Sequence, residues 1–296
     1  MSMQKHRIQE VTQILQQLPL FVGKEIQKVE ATKLGMTNDS YLFQVEGKPY
    51  IFRYPGKGSD KIVNRHQEAA VYKALQGSGF AEDVIYFDCE SGRKVSRFIT
   101  DSHVCNPRDK KEVKRCLARL RDLHHLQLQV GHSFSLRQEI EKYESYLQHG
   151  SRYEDYAVTR EKVMSLFPFV EANKKAACLC HIDAVSDNFL LTKEAVHLVD
   201  WEYAAMQDPD VDVAMFILYS GYSEEDTEEI ISFFMEEEDK KRRYKIYAYL
   251  AIAGLLWSNW CEFKMQNGDK FGDYALWQYR FARDYSKKVR EYLCLE

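Results

Sequence analysis

Residues 180–191 read Cys-His-Ile-Asp-Ala-Val-Ser-Asp-Asn-Phe-Leu-Leu, a polar loop that runs into an apolar strand. Asp183 and Asn188 stand five positions apart in this loop, and a second apolar run, Val196–Val199, ends at Asp200. A β-hairpin formed by the two apolar runs would bring Asp200 back beside Asn188. Two carboxylates and an amide would then lie together at one end of the hairpin. Their hard oxygen atoms suit Mg²⁺, and a carboxylate there can act as a base.

An H-x-D-x-x-x-x-N spacing followed by a later Asp is the catalytic signature of kinases. In that signature the first Asp positions the acceptor hydroxyl, while the Asn and the second Asp hold the metal. Asp and Asn are also common turn residues, so a short match by itself means little. The complete spacing, the strand that ends at Asp200 and the β-rich upstream region favour an ATP- and Mg²⁺-dependent phosphotransferase. We predict Asp183 as its catalytic residue, and Asn188 and Asp200 as its metal ligands.

The periodicity predicts an α+β chain with two lobes. Before residue 102, short β-like runs alternate with turn signals and predict a five-stranded antiparallel sheet, with one helix (Asp60–Leu75) after the third strand. The expected strands are Lys28–Lys33, Tyr41–Val45, Tyr50–Tyr54, Asp83–Phe87 and Arg93–Ile99. Beyond Asp109 the pattern is helical, interrupted at 178–200, with helices expected at 109–126, 136–149, 156–173, 210–221, 224–236, 242–265 and 273–292. We predict a nucleotide-binding lobe over 1–101 and a helical lobe with the catalytic loop and substrate pocket over 102–296.

The predicted sheet supplies residues that suit a nucleotide. Arg53 stands on the third strand, where kinases carry the phosphate-binding lysine, and its fixed fork suits phosphate. Glu68 on the following helix is its candidate partner, although Arg65 and Glu82 compete for such roles and a solvated carboxylate would explain Glu68 equally well. The turn between strands 1 and 2 is where a loop would fold over phosphates. This turn has one glycine and does not match GxGxxG. Its candidate nucleotide-binding residues are Gly35, Thr37, Asn38 and Ser40.

The sequence after Asp200 indicates a small substrate. A helix start at Asp208-Pro209-Asp210 follows after eight residues, without an APE-like element or room for a peptide platform. All four Trp lie at or beyond residue 201, and Trp257 and Trp260 share one helix face. A quaternary ammonium cannot donate a hydrogen bond, so proteins surround it with aromatic faces. A plain aromatic core would explain any one of these rings, but the group together favours a cage.

Four stretches resemble bacterial choline kinases of the LicA type, in the choline/ethanolamine kinase branch of the aminoglycoside phosphotransferase-like superfamily. They are LGMTNDSYLF (34–43), CHIDAVSDNFLL (180–191), LVDWEYAAMQDPDVDVAMF (198–216) and LLWSNW (255–260). The resemblance extends from about Val29 to Arg290. It implies a two-lobed protein-kinase-like fold and transfer of the γ-phosphate of MgATP to choline, which gives phosphocholine.

The resemblance also implies residue roles. Asp183 matches the catalytic base, Asn188 and Asp200 the Mg²⁺ ligands, and Arg53 with Glu68 the phosphate-binding cation and its partner. The segment Arg97, Phe98 and Ile99 matches the hinge that contacts adenine, and Asp212 matches the acid that supports the catalytic loop. The choline cage is matched by Tyr203, Trp257 and Trp260. Its last wall is matched by Tyr274, Trp277 or Tyr279. The hinge departs from the family pattern, which leads us to expect an acidic residue and Tyr there.

Composition excludes several other classes of protein. The 296 residues are 45% hydrophobic and carry a net charge of −4, so no overall basic footprint for nucleic acid exists. The N-terminus lacks a signal-peptide core, and the apolar run Ile246–Cys261 is shorter than a membrane span and predicts a core helix. Seven scattered cysteines, among them Cys178 and Cys180 beside His181, indicate reduced thiols rather than a zinc site. We therefore expect a cytoplasmic monomer or homodimer that acts on a small molecule, without membrane or nucleic-acid partners.

Other substrates and one non-enzymatic function remain open. Ethanolamine would fit a similar cage but needs hydrogen-bond acceptors, and thiamine is another cation within reach. Aminoglycosides require an acidic cleft, whereas residues 240–296 hold twelve Lys/Arg against six Asp/Glu. The nine acids of residues 222–239 predict a solvated helix face rather than such a cleft. A degenerate kinase fold could serve as a binding module, but Asp183, Asn188 and Asp200 are all intact.

Overall fold

The computed structural model describes residues 3–34, 38–56, 58–59, 62–235 and 237–295, with backbone only at 3–5, 33 and 34. The backbone forms two compact units. The N-terminal unit comprises Met1–Ser102 together with His197–Glu202, and the C-terminal unit comprises His103–Val196 and Tyr203–Glu296. The short segment that carries Asp200 therefore packs within the N-terminal unit, although it lies far along the chain.

The N-terminal unit contains the predicted five-stranded antiparallel sheet, with strand order β1-β2-β3-β5-β4. Its strands are β1 (Gln27–Leu34), β2 (Asn38–Val45), β3 (Lys48–Pro55), β4 (Val84–Phe87) and β5 (Lys94–Arg97). Helix α1 (Met3–Gln17) packs Val11 and Leu15 against Phe43 and Phe52 of the sheet. Burial of these apolar side chains is the main stabilising contribution to this unit.

Helix α2 (Arg65–Leu75) follows the third strand, as predicted. It begins later than Asp60, a residue that lies outside the described part of the chain. The physical reason is an N-cap: the side chain of Asn64 accepts hydrogen bonds from the backbone N–H groups of His66 and Gln67. The cap places Arg65 and Glu68 in the first turn of the helix, where both side chains are buried.

The C-terminal unit is mostly helical. Its helices are α3 (Lys110–His125), α4 (Leu136–Tyr146), α5 (Tyr156–Met164), α6 (Phe167–Ala172), α7 (Asp210–Ser220), α8 (Glu224–Phe234), α9 (Lys240–Gln266) and α10 (Tyr274–Tyr292). The prediction of one helix over 156–173 is wrong, because α5 ends at Met164 and a new helix begins at Phe167, with Pro168 in its first turn. Proline lacks the N–H that a continuing helix needs and is tolerated in a first turn.

Short strands flank the loop that carries Asp183 and Asn188. Strands β6 (His103–Val104) and β8 (Phe189–Leu191) pair antiparallel, as do β7 (Cys178–Cys180) and β10 (Ala205–Gln207). Strand β9 (Val196–Leu198) follows β8 after a tight turn, in which the N–H of Thr192 donates to the carbonyl of Ala195 at 2.9 Å. Strands of two or three residues are too short to show a period, so β6 and β10 were not predicted.

Helix α9 forms the centre of the C-terminal unit. The apolar run Ile246–Cys261 lies inside it and is buried, which confirms the prediction of a core helix. Within the described part of the chain, no helix combines the length and hydrophobicity that a membrane span requires. Helix α10 approaches α9 closely at Gly254, where a Cβ atom would lie 2.7 Å from the backbone N of Ala282 and from the carbonyl of Gln278.

We expect Gly254→Ala to lower the free energy of unfolding by about 1–3 kcal/mol, because the added methyl group must push two backbones apart. The loss should exceed the gain in helix propensity that alanine brings. Urea unfolding followed by circular dichroism measures the change. Gly131→Ala is the control, since no atom lies within 4 Å of its added Cβ. Equal stability of the two variants would contradict the close approach.

Candidate active site

Arg53 and Glu68 form a buried ion pair in the N-terminal unit. Arg53 is 3% exposed and Glu68 1%. One guanidinium nitrogen of Arg53 bonds Oε1 of Glu68, the other bonds Oε2 at 3.0 Å, and the latter also donates to the carbonyl of Gly92 at 3.0 Å. Burial alone would lower the pKa of Arg53, but the Glu68 carboxylate outweighs it and the pKa is raised. The structure thus brings the predicted pair together.

The two residues that could have replaced a member of this pair, Arg65 and Glu82, do not do so. Glu82 pairs with Lys94 and accepts a hydrogen bond from the hydroxyl of Tyr72 at 2.8 Å. Arg65 does not replace Arg53 but adds a second cation to the same carboxylate, because its Nη1 lies 2.8 Å from Oε2 of Glu68. Glu68 therefore binds two guanidinium groups, and its pair with Arg53 is bidentate.

Asp200 lies in the same unit, with its backbone in the left-handed region (φ 65°). Asp tolerates this conformation better than most residues. Its Oδ1 is buried, lies 3.9 Å from Nη1 of Arg53, and has no hydrogen-bond partner among the described residues. A buried carboxylate oxygen that accepts no hydrogen bond has lone pairs available to bind a cation.

Glu202 is a residue that sequence reasoning missed. Its Oε2 accepts hydrogen bonds from Arg65 at 2.9 Å and from the side-chain amide of Asn38 at 2.8 Å. Burial first, and then the charge of Asp200, raise the pKa of Glu202 to about 7 against the opposing charges of Arg53 and Arg65. A carboxylate two positions after Asp200 was the available signal.

The predicted nucleotide loop is only partly described. Gly35 and Thr37 lie outside the described residues. The side-chain amide of Asn38 is buried and used inside the protein, because its Nδ2 donates to Glu202 and its Oδ1 accepts from Arg65 at 3.0 Å. Ser40 lies opposite Arg53 in the pairing of β2 with β3.

The predicted hinge follows β5. The backbone N–H groups of Arg97 and Phe98 donate to the carbonyls of Asp83 (2.9 Å) and Pro49 (3.2 Å). The carbonyl of Ile99 accepts from the hydroxyl of Ser102 at 2.7 Å. The Phe98 ring is exposed. Two of the three hinge N–H groups are thus already used within the sheet.

Asp183 and Asn188 lie together in the C-terminal unit. A 3₁₀ turn at Ser186–Asn188 folds the loop back, with the N–H of Asn188 donating to the carbonyl of Val185 at 2.9 Å. The side-chain amide of Asn188 then donates to the carbonyl of Asp183 at 2.8 Å and to its Oδ2 at 3.0 Å. These two bonds fix the orientation of the Asp183 carboxylate. They also leave the amide oxygen of Asn188 for another ligand.

Asp212 braces the loop from beneath, as the resemblance implied. Ile182 has a left-handed backbone (φ 66°), which is strained for a β-branched residue. The N–H of Ile182 donates to Oδ1 of Asp212 at 2.8 Å, and that of His181 donates to Oδ2 at 3.0 Å. Nε2 of His124 lies 2.8 Å from the same Oδ2. The fully buried Asp212 carboxylate thereby holds the backbone that presents Asp183.

His124 also belongs to a candidate metal cluster. Its ring nitrogen and the thiols of Cys178 and Cys180 lie within 4.8 Å of one another. Each group already has a protein partner, because His124 contacts Asp212, Cys180 donates to the carbonyl of Gln207 at 3.4 Å, and Cys178 contacts Cys180. These are free thiols in the core, and we assign them a packing role.

Aromatic rings form a continuous cluster in the same unit. Trp257 lies 5.6 Å from Tyr203, 6.0 Å from Trp260 and 6.0 Å from Tyr219, measured between ring centroids. Tyr219 in turn lies 5.7 Å from Tyr274. The cluster also includes Phe271 at 5.4 Å from Trp260, and most of its contacts are edge-to-face, an arrangement that aromatic pairs favour.

Tyr219 and Phe271 were not predicted. Tyr219 stands seven residues after Asp212, so both lie on one face of α7, and this spacing was a usable signal. Phe271 lies in the loop before α10, where no periodicity points to it.

The remaining rings of α10 lie elsewhere. Tyr279 stacks on Tyr153 at 3.9 Å and donates to Asp155 at 2.7 Å. It follows Tyr274 by five residues, which turns it about 140° around the helix. Trp277 is 49% exposed and lines a surface groove with Gly221. Of the three residues predicted for the last wall, the structure therefore brings only Tyr274 into the aromatic cluster.

The aromatic cluster lies within electrostatic reach of Asp183. Burial raises the pKa of Tyr219 and of Tyr274, and in both cases the negative charge of Asp183 contributes to the increase. Aromatic rings and a carboxylate thus lie near one another in the C-terminal unit. This combination attracts a small organic cation and can orient a hydroxyl group on it.

Comparisons with known proteins identify the family of this chain. The model of the choline/ethanolamine kinase family matches residues 29–261. Two Haemophilus influenzae proteins named LicA are 28% and 27% identical to the chain, covering 82% and 81% of it and 75% and 95% of their own lengths. The structure of choline kinase LicA from Streptococcus pneumoniae superposes with a TM-score of 0.83 at 28% identity, covering 96% of this chain and 99% of that one.

Two further structures are similar. LicA in complex with AMP has a TM-score of 0.80 at 28% identity, covering 98% of this chain and 99% of that one. Aminoglycoside phosphotransferase APH(4)-Ia has a TM-score of 0.66 at 15% identity, covering 89% of this chain and 95% of that one, which shows a shared fold. The chain therefore belongs to the choline/ethanolamine kinase family and is a phosphotransferase with the two-lobed protein-kinase-like fold.

Proposed function

We propose that this kinase transfers the γ-phosphate of MgATP to the hydroxyl group of choline and so forms phosphocholine. The observation that carries the proposal is the aromatic cluster around Trp257 within electrostatic reach of Asp183. A trimethylammonium group offers no hydrogen-bond donor, so ring faces and a nearby negative charge are what can bind it. The relatives named choline kinase support the same substrate.

In the proposed mechanism, Asp183 accepts a hydrogen bond from the choline hydroxyl. Asn188 keeps the carboxylate in place through its two hydrogen bonds to Asp183. As the choline oxygen bonds to the γ-phosphorus, the bond to ADP breaks and the hydroxyl proton passes to Asp183. Positioning of this kind and stabilisation of charge supply most of the catalysis in phosphoryl transfer.

We assign the magnesium ligands to Asn188 and Asp200. Both fit the ion chemically, because Oδ1 of Asp200 is buried without a hydrogen-bond partner among the described residues, and Asn188 uses only its nitrogen toward Asp183. Magnesium prefers such oxygen ligands and usually binds through few protein groups plus phosphates. When bound, it neutralises charge on the phosphates.

The nucleotide is assigned to the N-terminal lobe, residues 1–101, and the substrate to the lobe of residues 102–296. Arg53, held by Glu68, would contact phosphate. At the hinge, Ile99 is the residue whose N–H we assign to adenine, because those of Arg97 and Phe98 donate to carbonyls of the sheet.

The test is ADP release from MgATP in the presence of choline, ethanolamine, thiamine or kanamycin. We expect the highest kcat/KM with choline. Release that depends on ethanolamine, thiamine or kanamycin but not on choline would overturn the substrate assignment. Choline binding without any turnover would favour a binding module, in which the kinase fold has lost its chemistry.

We expect Asp183→Asn to lower kcat by about 10²–10⁴-fold, because the amide cannot accept the hydroxyl proton. The affinity for MgATP, measured by calorimetry, should stay within about twofold, since Asp183 belongs to the acceptor side. Asp187→Asn is the matched control in the same loop, where the side chain is exposed, and should retain activity. An equal loss of ATP affinity in Asp183→Asn would contradict the assigned role.

We expect Trp257→Leu and Trp260→Leu each to raise the KM for choline about 5- to 30-fold, equivalent to about 1–2 kcal/mol of lost cation–π attraction. Leucine fills much of the space but has no ring face. The KM for ATP should change little. Trp277→Leu, outside the aromatic cluster, provides the control, and an unchanged choline KM in both test variants would exclude the cage.

A further inference from the structure

Arg65 is the centre of a buried network in the N-terminal unit. Its Nη1 lies 2.8 Å from Oε2 of Glu68 and 2.9 Å from Oε2 of Glu202, and its Nη2 donates to Oδ1 of Asn38 at 3.0 Å. The amide nitrogen of Asn38 donates to the same oxygen of Glu202 at 2.8 Å. Arg65, Asn38 and Glu202 therefore close a hydrogen-bonded triangle, and all three side chains are buried.

Each partner of this guanidinium belongs to a segment with a nucleotide role in the proposed function. Asn38 is the first residue of β2 and directly follows the turn assigned to the phosphates. Glu202 stands two positions after Asp200, the proposed metal ligand. Glu68 holds Arg53, the proposed phosphate cation. One side chain thus connects three segments, of which the one with Glu202 lies more than a hundred residues from the other two.

Gly92 provides the space for this side chain. A Cβ atom at Gly92 would lie 2.7 Å from Nε and 3.2 Å from Cδ of Arg65, and the residue has a positive φ of 70°. Its carbonyl also accepts a hydrogen bond from Arg53. The backbone at Gly92 is therefore shaped to fit the two guanidinium groups side by side.

The amide of Asn38 has both its polar atoms engaged inside the protein. Asn38 would therefore affect a nucleotide by fixing the start of β2 and not through its own side chain. We propose that Arg65 is a positioning residue for MgATP, which ties the start of β2 at Asn38 and the segment of Asp200 to helix α2. This inference rests on the proposed function for the identity of the nucleotide.

The experiment compares Arg65→Gln, Arg65→Lys and Asn38→Ala with the unmodified protein. We expect Arg65→Gln to weaken MgATP binding, measured by calorimetry without choline, about tenfold. The KM for ATP should rise in parallel, with the KM for choline within about twofold. Arg65→Lys should restore part of the affinity, since an ammonium keeps the charge but cannot make all three contacts.

A double-mutant cycle tests the shared link. If Asn38 acts through Arg65, the variant Arg65→Gln/Asn38→Ala should lose no more ATP affinity than the worse single variant. Additive losses would mean that Asn38 contacts the nucleotide itself and would overturn the positioning role.

Lys94→Gln controls for the loss of a buried cation. Lys94 pairs with Glu82 in the same unit and is buried, so its replacement should lower the melting temperature without changing ATP affinity. Unchanged ATP binding in Arg65→Gln and in Asn38→Ala would refute the inference, as would an equal loss in Lys94→Gln. If the unmodified protein binds MgATP but does not phosphorylate choline, the proposed substrate fails while the calorimetric comparison still decides the role of Arg65.

Discussion

The loop that presents Asp183 depends on one buried carboxylate, that of Asp212. The loop needs Ile182 in a left-handed conformation, which costs about 1–3 kcal/mol for a residue with a branched side chain. Asp212 offsets this strain through charge-assisted hydrogen bonds from the N–H groups of His181 and Ile182. Because Asp212 lies in the first turn of α7, its charge is also favoured by the helix dipole. The orientation of Asp183 follows from that brace.

The N-terminal unit relies on the same principle with more charges. Arg53 and Arg65 share the Glu68 carboxylate, and Arg65 also binds Glu202. Buried ion pairs are weak evidence for stability, since the loss of solvation offsets much of the attraction. Their value here is geometric, because each guanidinium contacts defined oxygen atoms on several segments. The residues closest to the assigned nucleotide are therefore fixed before any ligand binds.

The sequence predicted elements whose pattern is long or whose motif is complete. The five strands, the buried helix around Ile246–Cys261 and the pairing of Arg53 with Glu68 follow from periodicity and from kinase spacing. It missed Glu202, because a turn between two short strands has no period that marks a buried acid. It predicted Asn38 as a nucleotide-binding residue, but the residue type alone does not show that its side-chain amide bonds Glu202 and Arg65 inside the protein.

The rings of α10 show why spacing along the sequence was insufficient to predict which of them joins the aromatic cluster. Tyr274, Trp277 and Tyr279 all lie on α10, and the ring that joins the aromatic cluster depends on how α10 crosses α9. That crossing is governed by the close approach at Gly254, where the backbone of α10 at Gln278 and Ala282 contacts α9 directly. With the crossing so defined, Tyr279 turns toward Tyr153, whereas Tyr274 meets Tyr219. The close packing of α10 against Gly254 of α9 thus determines which ring joins the aromatic cluster. The sequence of α10 alone does not show this packing.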